Sequence, residues 1–237
     1  MLPEPYYDRD GITIYHADCR DVLPRLDWRL GDVVCTDPPY GTGGWRRMEP
    51  GRGDDPTASL IVEAWDDGAV DWLQSCHADA ALVFWPAART RHLLEAADKA
   101  GLTKHRGLYL RKPDPKPQVN NRIRWSVEPI WCLSRDGFVL YGGDDWHEAS
   151  TPRANRDREA TGHPYQKPLS ALRWLLAKLP EGSRVIDPFA GSGTAIVAAN
   201  ALGIPAIGIE IEERYCEIAV KRLQQAVLPL HFGQAAD

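Results

Sequence analysis

The chain has 237 residues, 43% of them hydrophobic, with nine tryptophans and a formal charge of −5. That length suits one α/β domain spanning 1–237, with room for a sizeable core and only modest insertions. No apolar run approaches membrane-spanning length and no signal peptide opens the chain, which argues against a membrane protein and for a cytosolic one. Five scattered cysteines (Cys19, Cys35, Cys76, Cys132, Cys216) lack a C-x-x-C pair, so neither zinc nor a disulfide is expected. The net charge disfavours a nucleic-acid partner, but it is uneven. Between Lys104 and Arg124 seven basic residues face the single acid Asp114, compatible with one phosphate-tracking face.

Residues 1–10 read as a loose arm. Ile12–Tyr15 alternates like a short strand and leads to Asp18, placed to cap a helix over Arg20–Leu26. The apolar run from Asp32 to Thr36 reads as a buried strand and ends in Asp37-Pro38-Pro39-Tyr40. The two prolines fix the backbone and remove two N–H donors, leaving carbonyls beside a carboxylate and an aromatic ring. That set suits a planar amino group, with Asp37 and the Pro38 carbonyl accepting its two N–H bonds and Tyr40 stacking on the ring. Segment 41–56 is glycine-rich and predicts a mobile loop able to close over a substrate, with Trp45, Arg46 and Arg47 placed to meet bases or phosphates.

A helix is predicted over Thr57–Cys76, broken near Asp67–Gly68, then a strand over Ala80–Trp85 and a helix over Arg89–Ala100 closed by Gly101. Gly107–Leu110 is the next strand. Alternating prolines keep 111–124 extended, so Arg111, Lys112, Lys116, Arg122 and Arg124 form the first candidate for contact with a nucleic-acid backbone. Trp125–Leu133 reads as a strand, with Phe138–Tyr141 paired to it across Asp136–Gly137 as a hairpin. Segment 141–162 is polar and poor in aliphatics, and carries Arg153 and Arg156.

Pro168 opens a helix whose Leu169, Leu172, Leu175, Leu176 and Leu179 form a core face, and Pro180 ends it. Arg184–Asp187 is a buried strand that runs through Pro188-Phe189-Ala190 into Gly191-Ser192-Gly193 and a helix starting near Thr194. Such a turn points backbone N–H groups at an anionic or carboxylate-bearing ligand. The following strand, Ala206–Ile209, ends in Glu210, an acid roughly 20 residues beyond the turn and placed to accept from ribose hydroxyls. Ile196 stands where a dinucleotide fingerprint wants its last glycine, so one nucleoside with a short polar tail fits better than a pyrophosphate. S-adenosylmethionine answers that description. A last helix, Glu212–Gln225, turns Tyr215, Ile218, Ala219 and Leu223 inward, and the tail from Leu228 is expected to fray.

Asp37-Pro38-Pro39-Tyr40, Asp187-Pro188-Phe189-Ala190-Gly191-Ser192-Gly193-Thr194 and His163-Pro164-Tyr165-Gln166-Lys167-Pro168 together resemble the motifs of the amino-methyltransferases that modify exocyclic nitrogens of DNA bases. Their order, catalytic motif first and cofactor motif last, is that of the permuted beta group, and the resemblance covers most of the chain. It implies a Rossmann-like α/β fold, a mostly parallel doubly wound sheet with one antiparallel hairpin, and DNA as the partner. It also implies that Asp18 meets the cofactor's adenine amino group (a helix cap being the competing role) and that Lys167 meets the methionine carboxylate. Base reading then falls to 141–162, which is short and implies a short target, weak discrimination, or help from a second subunit in a homodimer. Family members with an acid at the first motif position mostly use adenine N6, and those with serine mostly use cytosine N4. Adenine N6 is therefore expected, with cytosine N4 or a non-catalytic relative as the alternatives.

Overall fold

The computed structural model describes residues 1–39, 70–113, 126–149 and 166–227. Among these, nine strands form one sheet: β1 (Tyr7–Arg9), β2 (Ile12–His16), β3 (Asp32–Thr36), β4 (Ala80–Phe84), β5 (Lys104–Arg111), β6 (Val127–Ser134), β7 (Trp146–Glu148), β8 (Arg184–Asp187) and β9 (Ala206–Glu210), in the order β1-β2-β9-β8-β3-β4-β6-β5-β7. The described helices are α1 (Cys19–Val22), α2 (Thr90–Lys99), α3 (Leu169–Leu176), α4 (Thr194–Ala201) and α5 (Glu213–Val227). From β2 to β4 every neighbouring pair is parallel, while β6 runs antiparallel to both β4 and β5. The mostly parallel doubly wound sheet is thus the one expected.

β3, β4 and β9 are buried at every position, which is why they read as unbroken apolar runs. Successive residues go to opposite faces. Val33 and Cys35 join the core under α3, α4 and α5, whereas Val34 joins the core under α1 and α2. α4 is buried on nearly all sides, and its alanines let it sit closely between the sheet, α3 and α5. The chain leaves β8 toward the α4 face and leaves β2 and β4 toward the α1/α2 face. The winding therefore reverses between β8 and β3, and open α/β sheets take their ligands outside the strand ends at such a reversal.

Three expectations are corrected. Residues 7–9 of the supposed arm form β1, because Asp10 and Gly11 (φ 53° and 77°) make the Asp-Gly turn of a two-residue hairpin onto β2. Phe138–Tyr141 is not a strand. Both edges of β6 are already taken by β4 and β5, so Phe138 and Leu140 pack on the core instead. Of the helix predicted over Thr57–Cys76, residues 57–69 lie outside the described residues, and Asp71–Ser75 is a 3-10 turn rather than α-helix. Val70, Leu73 and Cys76 are all buried at a spacing of three, which suits the tighter winding. The antiparallel element expected in the sheet is real but is built by β5 and β6.

At the N-terminal ends of β3 and β8, opposite the crevice, Asp32 is fully buried. It accepts from Arg184 Nε at 2.8 Å and Nη2 at 2.7 Å, and from the Arg29 backbone N–H at 2.9 Å. Arg184→Met removes the bidentate counter-charge of this buried carboxylate and leaves it the Arg29 guanidinium at 3.7 Å. The variant is expected to lose about 3–5 kcal/mol of stability in urea titration while ligand affinity at the opposite end of the strands stays within a few-fold of wild type.

Candidate active site

Three acids stand at the C-terminal ends of three neighbouring strands: Glu210 on β9, Asp187 on β8 and Asp37 just beyond β3. Asp187 is 5% exposed, and its Oδ1 accepts from the Thr36 hydroxyl at 2.7 Å and from the Phe189 N–H at 3.1 Å. Burial pushes its carboxyl up to about 7, against the downward pull of those two donors. The buried Thr36–Asp187 bond ties the strand bearing the proline motif to the strand bearing the glycine turn.

The glycine turn is closed from inside. Gly191 and Gly193 adopt left-handed φ values of 51° and 75°, and a Cβ added at Gly193 would lie 2.6 Å from the Ala219 Cβ of α5. From the same helix Arg222 donates to the Ser192 carbonyl at 2.6 Å and to the Thr194 hydroxyl at 3.1 Å. The Gly193 N–H donates to the Ala190 carbonyl at 2.8 Å, and the Gly191 N–H to Glu210 Oε2 at 2.7 Å. Glu210 Oε1 accepts from the Glu212 N–H at 2.8 Å. Burial raises the Glu210 carboxyl above its ordinary value, partly offset by these N–H groups.

The turn was expected to aim its N–H groups at a ligand's negative charge. Instead the anion nearest Gly191 is the protein's own Glu210, which stands where a phosphate would otherwise sit. A carboxylate offers about four acceptor positions, so Glu210 keeps room for a hydroxyl pair. This donor and acceptor set fits a nucleoside's ribose and disfavours a pyrophosphate.

Asp37 belongs to a row of alternating charges. Lys167 Nζ lies 2.7 Å from Asp37 Oδ2 and 2.7 Å from Glu128 Oε1, and Lys112 Nζ lies 3.0 Å from Glu128 Oε2. The Lys167 ammonium also sits 5.0 Å from the centre of the Phe84 ring, at the end of β4. Burial pushes the Asp37 carboxyl up to about 6, with Lys167 holding it from rising further. Burial also disfavours the Lys167 ammonium, but the two carboxylates outweigh it and raise its pKa above the ordinary lysine value. Glu128 is pushed up by burial too, yet Lys167 and Lys112 hold it below the usual glutamate value.

The expected partner of Lys167 was the cofactor's methionine carboxylate. In the structure its ammonium is engaged by Asp37 and Glu128, which among the described residues leaves one of its three N–H donors for a further acceptor.

Asp18 caps α1 by accepting from the Arg20 N–H at 2.9 Å, and it also pairs with the Arg20 guanidinium, which holds its carboxyl below the ordinary value. It lies on the β2 side of Glu210, since the Ala17 N–H donates to the Glu210 carbonyl at 3.0 Å. Phe189 meets the Trp72 ring edge-on at 5.8 Å, Ser192 and Thr194 are buried in the turn, and Pro38 is buried with Pro39 partly so. Of the candidate nucleic-acid contacts, Arg111 pairs with Glu148 at 3.3 Å and Lys112 with Glu128. Tyr40, Trp45, Arg46, Arg47, Lys116, Arg122, Arg124, Arg153 and Arg156 lie outside the described residues, as do segment 41–56 and most of 111–124 and 141–162.

Sequence reasoning overlooked Thr36, Glu128 and Arg222 as site residues. Glu128 carried a usable signal, an acid beside a proline within an apolar strand. Thr36 and Arg222 carried none, because their partners are 151 and 30 residues distant.

Fold and site together define a methyltransferase that uses S-adenosylmethionine. The family described as DNA methylase matches residues 32–221. The chain resembles type II methyltransferase M2.LlaDCHI of Lactococcus lactis subsp. cremoris, at 27% identity over 259 residues, covering 95% of this chain and 94% of that one. It likewise resembles M2.DpnII of Streptococcus pneumoniae, at 27% identity over 254 residues and 94% of each chain. Among solved structures, its fold is similar to M1.HpyAVI in complex with SAM, with a TM-score of 0.65 and 21% identity over 90% of this chain and 98% of that chain. It is also similar to the PvuII DNA methyltransferase, described as cytosine-N4-specific, with a TM-score of 0.68 and 18% identity over 97% of this chain and 90% of that chain. The chain belongs to the DNA methylase family of N6 and N4 amino-methyltransferases.

The raised Asp187 carboxyl has a consequence for stability. Between its ordinary value of 3.8 and about 7 the folded state holds a proton that the unfolded state has released. The stabilisation from this group is therefore full below about pH 4 and is lost as pH rises to about 7; Asp37 contributes with the same sign up to about 6. Asp187→Asn cannot ionise and is expected to lose less stability than wild type between pH 5 and pH 8. Urea midpoints at the two pH values check this, and an unchanged difference contradicts it.

Proposed function

We propose that the protein transfers a methyl group from S-adenosylmethionine to the exocyclic N6 of an adenine flipped out of DNA. The observation that supports this reading most is the placement of Asp37. It is a half-buried carboxylate, paired with Lys167, at the reversal point of the sheet and one strand removed from the acid that suits a nucleoside. Among family members an acid at this position mostly accompanies adenine.

An exocyclic amine is a poor nucleophile because its lone pair is delocalised into the ring. Hydrogen bonds donated by its two N–H groups to Asp37 and to the Pro38 carbonyl draw the nitrogen toward a tetrahedral shape and free that lone pair. Pro38 and Pro39 lack N–H groups, so this strand end presents acceptors without competing donors. S-adenosylmethionine, when bound, supplies the electrophilic methyl group. Glu210 would hold its ribose, Phe189, Asp18 and the Gly191–Thr194 turn its adenosine end, and the remaining Lys167 N–H its carboxylate. Positioning and fixed charges then carry most of the rate enhancement.

A base inside a duplex is out of reach, so it is flipped at about a few kcal/mol, offset in part by stacking on Tyr40. Segments 41–56, 111–124 and 141–162 are assigned to DNA contact, with base reading in the last.

Asp37 accepts the amine's hydrogen bond much more strongly when ionised. With its carboxyl at about 6, the transfer rate is expected to fall as pH drops through about 6, as a single-turnover pH series would record. The deciding experiment is labelled methyl transfer to unmethylated genomic DNA followed by nucleoside analysis. Label in N6-methyladenine is the expected outcome, label in N4-methylcytosine overturns the choice of base, and label only in RNA overturns the substrate. Asp37→Ala is expected to abolish transfer while S-adenosylhomocysteine binding by calorimetry stays within about threefold of wild type.

A further inference from the structure

We infer that Glu128 is a positioning residue for methyl transfer, dividing the Lys167 ammonium between two carboxylates so that Asp37 remains an available acceptor for the target amine. The inference rests on the methyl-transfer reading above. It begins with the antiparallel strand. Because β6 runs against β4, with Phe84 opposite Ile130, its N-terminal end reaches past the C-terminal end of β4 into the same crevice that β3 enters. Glu128 is delivered there from the far side of β4. Lys167, on the segment leading into α3, spans the gap above the Phe84 ring with 2.7 Å contacts to both acids.

Two acids around one ammonium is a restraint with a purpose. A half-buried ammonium left with Asp37 alone would turn its donors to that carboxylate and compete with the amine for the same oxygens. Held on its other side by Glu128, it keeps Asp37 charged without enclosing it. Lys112, 3.0 Å from the second oxygen of Glu128, keeps Glu128 ionised for this task. Among the described residues, the charged groups that act on Asp37 include Lys167, Glu128 and Lys112, with the raised Asp187 carboxyl on β8 and the neutral Cys35 thiol on its own strand nearby.

The two partners act on Asp37 in opposite directions. Glu128 raises its carboxyl, and Lys167 lowers it. The test compares wild type, Glu128→Gln, Glu128→Asp and Lys167→Met as full chains, with two readouts. One is the single-turnover rate against pH with S-adenosylmethionine and genomic DNA. The other is the Asp37 carboxyl titration, followed as the infrared difference between each protein and its Asp37→Asn counterpart.

Glu128→Gln is expected to lower kcat on the order of tenfold at pH 7.5, with S-adenosylhomocysteine affinity changed less than about threefold. Its Asp37 midpoint and the acidic limb of its rate profile should move to lower pH, and those of Lys167→Met to higher pH. Glu128→Asp should recover part of the rate. A wild-type kcat in Glu128→Gln overturns the inference, and so do midpoints that stay put or move together. Absence of transfer by wild type would refute the methyl-transfer reading, and the infrared midpoints would still decide whether Glu128 and Lys167 set Asp37.

Discussion

Crowding of carboxylates at one end of a parallel sheet is the constraint around which this molecule is built. Glu210, Asp187 and Asp37 end three adjacent strands, the first two buried and the third half-buried, and like charges so placed cannot all ionise without compensation. The chain meets the problem differently at each strand. Glu210 takes backbone N–H groups from the turn and from the start of α5. Asp187 takes one hydroxyl and one N–H, with its carboxyl left near 7. Asp37 alone receives a side-chain cation, and that cation is shared.

These choices separate scaffold from chemistry. Asp187 faces Thr36 and its own turn, so its work is to lock β8 to β3 at the point where the winding reverses. Glu210 fills the anion position of the glycine turn while keeping acceptor capacity for a ribose. The turn itself is pressed by α5, whose Ala219 leaves no space for a side chain at Gly193 and whose Arg222 fastens the Ser192 carbonyl. Closure of this kind turns the Gly191 N–H to a carboxylate of the protein itself.

The antiparallel strand β6 connects this scaffold to the reaction. A sixth parallel strand at that place would have brought its C-terminal end to the crevice, whereas β6 brings its beginning, with Glu128 as its second residue. Through Lys167 that residue reaches Asp37, and through Lys112 it reaches the root of the basic 111–124 segment. The acids Glu128 and Glu148 neutralise the described start of that segment.

Much of this was legible in the residues alone. Buried parallel strands must be apolar on both faces, so β3, β4, β8 and β9 stood out as runs, and the acids ending β3, β8 and β9 marked one end of the sheet as the site. Gly191, Gly193, Asp37 and Glu210 were recognisable because local backbone geometry and donor chemistry restrict the residue types that can serve there. The local signal of Asp10–Gly11 was present too but was passed over, and β1 with it. Phe138–Tyr141 is different: it has the composition of a strand, and only the occupation of both edges of β6 excludes it. The partners of Lys167, the bond from Thr36 to Asp187 and the grip of Arg222 on the turn were likewise decided by the tertiary structure. Strand period and turn chemistry act over a few residues and are written in the sequence, whereas the pairing of buried charges depends on which strand ends the folded sheet brings together.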